Sequence, residues 1–340
     1  MEIRFLRDLS EWEALAGAWN DLLSRSATDI PFLRYEFLRA WWTTLGGGEW
    51  PDGELSIAIG LDDHGGLAAA APFFRTSVRP GALLFVGTAE ISDYLDVLAP
   101  AAALEPFCRS LLETVARGAL PGVMTIDLWN VQETSPGEVA IASAAEAAGW
   151  SIDRTRLKPC PLIRLDGGWE AYLGRLDKKQ RHELRRKMRR VMRTPGAGYA
   201  RAGESIDLSP AMEEFLRLMA LDPAKARFLT PAMQAMFQSL ARSAAGAGWL
   251  RLELVTVGGR AVAGAFCFDY GERLLVYNSG IDPGYLELSP GWALLGHLIR
   301  TAAEEGKTAV DLMRGGEDYK FRLGGEARYI ERLTLTRRPF

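Results

Sequence analysis

One order of elements occurs twice along the chain, and it limits the possible folds more than any single motif. In the first half two strand-like runs, Leu55–Leu61 and Leu67–Arg75, flank the turn Asp62-Asp63-His64-Gly65-Gly66. That is hairpin chemistry. Further strands are expected near Leu83–Val86 and Tyr94–Leu98, then a helix over about Leu104–Arg117 and a strand over Val123–Trp129. In the second half Leu250–Val257 and Ala261–Tyr270 flank Gly258-Gly259-Arg260, and a strand Arg273–Ile281 follows. A helix over about Pro290–Glu305 and a strand Ala309–Met313 complete the series. Both helix–strand units close on an Asp-Leu pair, Asp127-Leu128 and Asp311-Leu312. Two generic α/β segments can share this order by coincidence; an internal duplication is the more economical reading.

Around this repeat the pattern predicts an opening strand, Glu2–Leu9, and a helix capped by Ser10 with Trp12, Leu15, Trp19 and Leu22 on one face. A second helix, about Tyr35–Leu45, should stop at Gly46–Gly48. Between the halves Lys178–Arg190 holds eight Lys/Arg against one acid, Glu183, and Thr194-Pro195-Gly196 ends it. Leu173, Leu176, Leu184, Met188 and Val191 fall at helical spacing and give this helix a packing face, so its charges either face water or attract an anionic substrate, a membrane surface or RNA. The expected division is residues 1–165, a basic connecting helix 166–196, and residues 197–340, with the probable site in the last.

Composition removes several classes. The net charge of −3 over 340 residues argues against a dedicated nucleic-acid binder. The opening residues lack a basic leader and apolar core, and no run nears the roughly 18 apolar residues of a membrane span, so a cytoplasmic protein is expected. Cys108, Cys160 and Cys267 form no CxxC pair and His64, His182 and His297 have no ligand spacing, so neither a disulfide framework nor a metal is expected. No Walker lysine, dinucleotide glycine motif, nucleophile elbow or zinc-protease motif is present.

The densest chemistry left is Asp311-Leu-Met-Arg314-Gly-Gly-Glu317-Asp-Tyr319-Lys320, at the carboxyl end of a strand. In open α/β sheets ligands bind at such ends; a solvated turn would have similar composition. Ser289-Pro290-Gly291 opens the helix that precedes this strand, and helix N-termini can hold phosphate, although most bind nothing.

On these residues the chain resembles the GNAT superfamily, in particular the CelD/BcsL-like acetyltransferases linked by name to cellulose biosynthesis, relatives of the FemAB aminoacyltransferases. The resemblance rests on Pro31-Phe32-Leu33 leading into Trp41-Trp42, on Asp93-Tyr94-Leu95-Asp96 and on Lys178–Arg190. It continues through Gly264–Tyr270 and Tyr277–Asp282 to Ser289-Pro290-Gly291 and Asp311–Lys320.

The resemblance implies an α/β (α+β) fold of two tandem GNAT-like lobes, each a twisted mixed sheet flanked by helices. It implies acetyl-CoA or another acyl-CoA as co-substrate, lying along Arg273–Ile281 past Tyr277 and Asn278, with its pyrophosphate at Ser289 and Gly291. Here Asp282–Leu288 departs from the GNAT pyrophosphate loop, with no Arg or Gln and with Asp282 and Glu287. Glu317 becomes the candidate base and Tyr319 the candidate acid, with Lys320 or Arg314 holding an anionic group or oxyanion. Asp311, Arg314, Asp93 and Asp96 are candidate substrate contacts. The expected acceptor is a small molecule or an envelope precursor (sugar or peptide). Two alternatives stand beside this: FemAB-like transfer from aminoacyl-tRNA with the basic helix on the RNA, and a non-catalytic GNAT scaffold in polysaccharide biosynthesis.

Overall fold

The computed structural model describes residues 1–337. The chain forms two compact units, Met1–Lys158 joined by the last strand from Tyr329 onward, and Pro159–Arg328.

In the first unit the elements are β1 (Glu2–Leu6), α1 (Leu9–Glu13), α2 (Ala16–Arg25), α3 (Tyr35–Gly48), β2 (Glu54–Leu55), β3 (Ile57–Leu61), β4 (Leu67–Ala71), β5 (Phe73–Arg75) and β6 (Ala82–Phe85). Then come α4 (Ala101–Ala116), β7 (Thr125–Gln132), α5 (Pro136–Ala147) and β8 (Ser151–Arg164), which carries the chain into the second unit. The expected hairpin is β3–β4, with β1 on its other side. Trp12, Trp19, Phe32, Trp41, Phe73 and Phe74 fill the core. Two expectations fail locally. Ser10 lies inside α1, whose N-cap position is Asp8 without a side-chain cap bond. The strand expected at Tyr94–Leu98 is absent save for one bridge, Ala70 to Leu98, because Tyr94 turns to φ 58° and cannot stay extended.

The second unit continues with α6 (Gly168–Arg175), α7 (Lys178–Arg193), β9 (Ala197–Arg201), α8 (Leu208–Ala220), α9 (Pro223–Phe228), α10 (Pro231–Gly246), β10 (Leu250–Val257), β11 (Arg260–Tyr270) and β12 (Arg273–Ile281). It closes with α11 (Pro290–Glu304), β13 (Ala309–Asp311) and α12 (Asp318–Arg322), before β14 (Glu326–Thr336) returns to the first unit and pairs with β7. Its strand order runs from the second half of β8 through β13, β12, β11 and β10 to β9. The basic helix is a core element here. Leu184 and Val191 are buried, and a Cβ on Gly296 of α11 would stand 2.7 Å from Met188 Sδ, so α7 and α11 pack closely. On the other face, a Cβ on Gly280 of β12 would meet the backbone nitrogen of Met219 at 2.6 Å; glycine lets α8 press onto the strand.

The repeat read from the sequence is a repeat in space. β6, α4 and β7 form a parallel crossover in which Leu84 pairs with Asp127. β12, α11 and β13 form another in which Leu275 pairs with Asp311. Each unit is thus a mixed sheet flanked by helices, built on the same crossover. The two copies differ in the strand that precedes the helix: β6 stops at Phe85, whereas β12 runs on to Ile281.

Candidate active site

That extension of β12 is the starting point of the site. Its parallel pairing to β13 covers only Arg273–Leu275. On the β11 side the register shifts, with Phe266 opposite Asn278 but Cys267 opposite Val276, so Tyr277 is an extra residue in a bulge. A bulge bends and twists its strand. From Val276 onward β12 leaves β13, and between its end and the start of α11 a cavity of about 300 Å³ opens.

Ser279, Gly280 and Ile281 of β12 line this cavity together with Ser289, Pro290, Gly291 and Trp292 at the head of α11. Lys187, Leu286 and Tyr319 complete its rim. Ser289 adopts a left-handed backbone, φ 55° and ψ 49°, and its hydroxyl makes no cap bond, contrary to the expectation of a Ser-capped helix. A capping residue ordinarily has an extended backbone, which Ser289 lacks, while Pro290 starts the helix as expected. Tyr319 is mostly buried, and burial, reinforced by the Glu317 charge, pushes its phenol up to about 12. It stays a proton donor throughout the neutral range.

The mouth of the cavity is cationic. Lys187 Nζ lies 3.9 Å over the Trp292 ring and 2.9 Å from Glu183 Oε1. Arg322 stands 5.2 Å over the same ring and pairs with Glu183 at 2.6 Å. Those two cations hold the Glu183 carboxyl below its usual range, the hydrogen bond from Lys187 being the largest effect.

The loop Asp311–Lys320 is cross-braced. Asp311 is buried and its Oδ1 accepts from the Met313 N–H at 2.8 Å, supporting Met313 at φ 56°. Lys320, only 4% exposed, donates to the carbonyls of Met313 at 3.0 Å and Arg314 at 2.8 Å and meets Glu317 Oε2 at 3.1 Å. An ammonium has three donors. All three are engaged in holding the loop, so Lys320 has none left for an oxyanion. Glu317 itself is exposed.

Of the residues singled out in the sequence, Ser289, Gly291 and Tyr319 meet at the cavity. Glu317, Lys320, Arg314 and Asp311 form the loop that carries Tyr319. Tyr277 and Asn278 sit at the bulge but not on the cavity wall: the Tyr277 ring packs against Phe237 at 5.9 Å and Phe268 at 5.0 Å. Asn278 Oδ1 accepts from Lys225 Nζ at 3.1 Å and from the Ser279 N–H at 2.9 Å. Asp93 and Asp96 belong to the first unit. There Asp96 accepts from Thr28 Oγ1 at 2.7 Å and from the Val97 N–H at 2.8 Å.

Two contributors were not singled out. Lys225 also donates to the Ser279 carbonyl, gripping β12 where it bends; burial lowers its pKa, against the pull of Asp222 and Glu317. No sequence signal marks it, because it comes from a separate short helix. Lys187 did leave a signal. It falls between Leu184 and Val191 on the apolar stripe of α7, where a lysine facing solvent would not be placed.

Residues 178–321 match the family model of the acetyltransferase (GNAT) domain. Among curated proteins, none matches this sequence. Among solved structures the chain is similar to FemX, with a TM-score of 0.68 at 10% identity over 98% of this chain and 97% of that one. It is similar to L-PGS from Bacillus licheniformis, with a TM-score of 0.57 at 12% identity over 98% and 93%. It is also similar to a tandem GNAT protein from the clavulanic acid biosynthesis pathway, with a TM-score of 0.50 at 13% identity over 100% of both chains. No described helix is long and apolar enough to cross a membrane. The chain therefore has a tandem GNAT-like fold, and the segment similar to the GNAT acetyltransferase domain lies within its second unit.

Proposed function

We propose that the chain is an acyltransferase that moves an acyl group from a thioester donor of the acyl-CoA type to an amine or hydroxyl of a sugar, peptide or envelope precursor. One observation carries this reading: beyond Leu275, β12 parts from β13 and borders an apolar cavity that ends at the head of α11. A strand edge without a strand partner can bond the amides of a linear arm, and the first turn of α11 can face its anionic end. Acetyl-CoA is the simplest such donor.

In this reading Tyr319, kept protonated by burial, donates to the departing sulfur. Glu317, steered by Lys320, accepts the proton of the attacking amine or hydroxyl. Arg314 holds an anionic group of the acceptor, and Asp311 and Lys320 keep the loop in shape. Tyr277 and Asn278 act on the donor indirectly, by fixing the bulge that bends β12.

The test is a titration with acetyl-CoA and a longer acyl-CoA, read by thermal shift and calorimetry. A ligand that binds only the folded chain stabilises it in proportion to the logarithm of its concentration over Kd. Saturable stabilisation is expected, and filling the cavity with Ser279→Trp should abolish it. No stabilisation by either donor would overturn the reading. A second reading, transfer from aminoacyl-tRNA, draws on the likeness of fold to FemX and on the basic α7. Salt-sensitive tRNA binding that competes with none of the acyl-CoA ligands would favour it.

A further inference from the structure

We propose that the exposed face of α7 is the docking surface for an acidic carrier protein, whose phosphopantetheine arm delivers the acyl thioester to the neighbouring cavity; this rests on the acyltransferase reading. Lys178, Lys179, Arg186, Arg189 and Arg193 are exposed and, at 3.6 residues per turn, fall within an arc of about 100°, so they form one stripe along the helix. Among the described residues none of the five has an ion-pair partner. Of the acids near α7, Glu183 is committed to Lys187 and Arg322, Glu170 to Arg185, and Asp177 to capping the helix by accepting from the Gln180 N–H. The stripe is therefore uncompensated positive charge.

Its length selects the partner. From Lys178 to Arg193 it spans roughly 22 Å at the α-helical rise, more than the diphosphate of a single nucleotide can cover. The turn at the cavity mouth, Asp282–Leu288, offers such a diphosphate no Lys or Arg and adds Glu287. The cations are on α7 instead. The same surface is apolar in places: Met192 of α7 is 54% exposed and Leu286, on the cavity rim, is 61% exposed. Arg190 donates to the Glu287 carbonyl and so fixes this turn against the C-terminal half of α7. Apolar contacts ringed by charge are the composition of a protein interface. A nucleic-acid backbone would have no use for Leu286.

Docked there, an acidic protein would bring its prosthetic arm to the cavity through the rim made by Lys187, Leu286 and Trp292. The acyl C–S bond breaks, a C–N or C–O bond forms on the acceptor, and the acceptor's proton ends on the carrier's thiol. No oxidant or further reactant is needed.

The test compares three probes: a purified acidic carrier protein bearing a decanoyl-phosphopantetheine arm, decanoyl-CoA, and a short RNA duplex. Each is titrated against wild type and against the triple variant Arg186→Glu, Arg189→Glu, Arg193→Glu, after matched melting curves show that the variant folds. The loaded carrier should bind wild type and lose at least about tenfold in the variant, while decanoyl-CoA changes by less than about twofold. Carrier binding that is absent, or unchanged in the variant, would overturn the inference, as would RNA binding more tightly than the carrier. If decanoyl-CoA binds and the carrier does not, docking fails and the acyltransferase reading stands. If neither thioester binds, that reading fails with it.

Discussion

The ammonium of Lys187 stands 3.9 Å above the ring of Trp292, at the point where α7, α11 and the cavity meet. A lysine facing the packed side of its helix needs an anion and an aromatic face to replace water, and Glu183 and Trp292 supply them. Lys187→Met keeps the aliphatic stem and removes the charge. Affinity for acyl-CoA should fall about tenfold, the loss of one charge-assisted contact of about 1.5 kcal/mol. Calorimetry checks this, and an unchanged Kd would remove Lys187 from the binding surface.

Lys320 makes a different prediction because its contacts are internal. Lys320→Met leaves the Met313 and Arg314 carbonyls without their donor. Losing charged hydrogen bonds to buried groups costs about 2–3 kcal/mol. Chemical unfolding should show a loss of that size, and turnover should fall with it because the loop positions Tyr319. A variant as stable as wild type would contradict the cross-braced loop.

Tyr319→Phe should leave the fold intact, since among the described residues no hydrogen bond that shapes the loop runs through its hydroxyl. Its effect should appear in kcat, by about a hundredfold or more if the phenol is the acid. The phenol is raised to about 12, so it loses its proton only as pH rises toward that value. The wild-type rate should therefore show no alkaline decline from this group below about pH 10. If Tyr319→Phe combined with Glu317→Gln turned over the true substrate at the wild-type rate, both assignments would fall.

The crossover helices and their Asp-Leu strands were legible because they depend on local signals: an amphipathic period, a stopping glycine and a short apolar run. Leu84 opposite Asp127 and Leu275 opposite Asp311 are the spatial form of that repeat. Residues 208–246, where α8, α9 and α10 form, lie outside the repeat, although Met212, Phe215 and Met219 recur at helical spacing. Within the site, Tyr319 and the head of α11 could be named from sequence. The bulge at Tyr277 could not, since it exists only in the register between β12 and β11. Two of the three acceptors that occupy Lys320 are main-chain carbonyls, invisible to any search for side-chain chemistry.

The first unit offers a prediction about pH. Asp96 is 3% exposed, and a Cβ on Gly137 would stand only 1.8 Å from its Oδ1, so α5 closes over the carboxyl. Burial outweighs the hydrogen bonds from Thr28 and the Val97 N–H and raises its pKa from 3.8 to about 6. A carboxyl with a raised pKa binds its proton more tightly in the folded state. Its contribution to stability is full below about pH 4 and is lost as pH rises through about 6, by an amount on the order of 3 kcal/mol. Glu253 of the second unit behaves in the opposite sense: burial is overcome by His297, Arg251 and Arg201, and its pKa falls to about 2, so its contribution is lost on acidification. Wild-type stability alone mixes the two. Asp96→Asn is neutral at every pH, and the difference between variant and wild type isolates Asp96. Measured by urea unfolding at pH 4 and pH 7, the variant should gain about 2–3 kcal/mol on wild type at the higher pH. A difference that stays flat would mean that Thr28 and the Val97 N–H stabilise the carboxylate enough to cancel the cost of burying it.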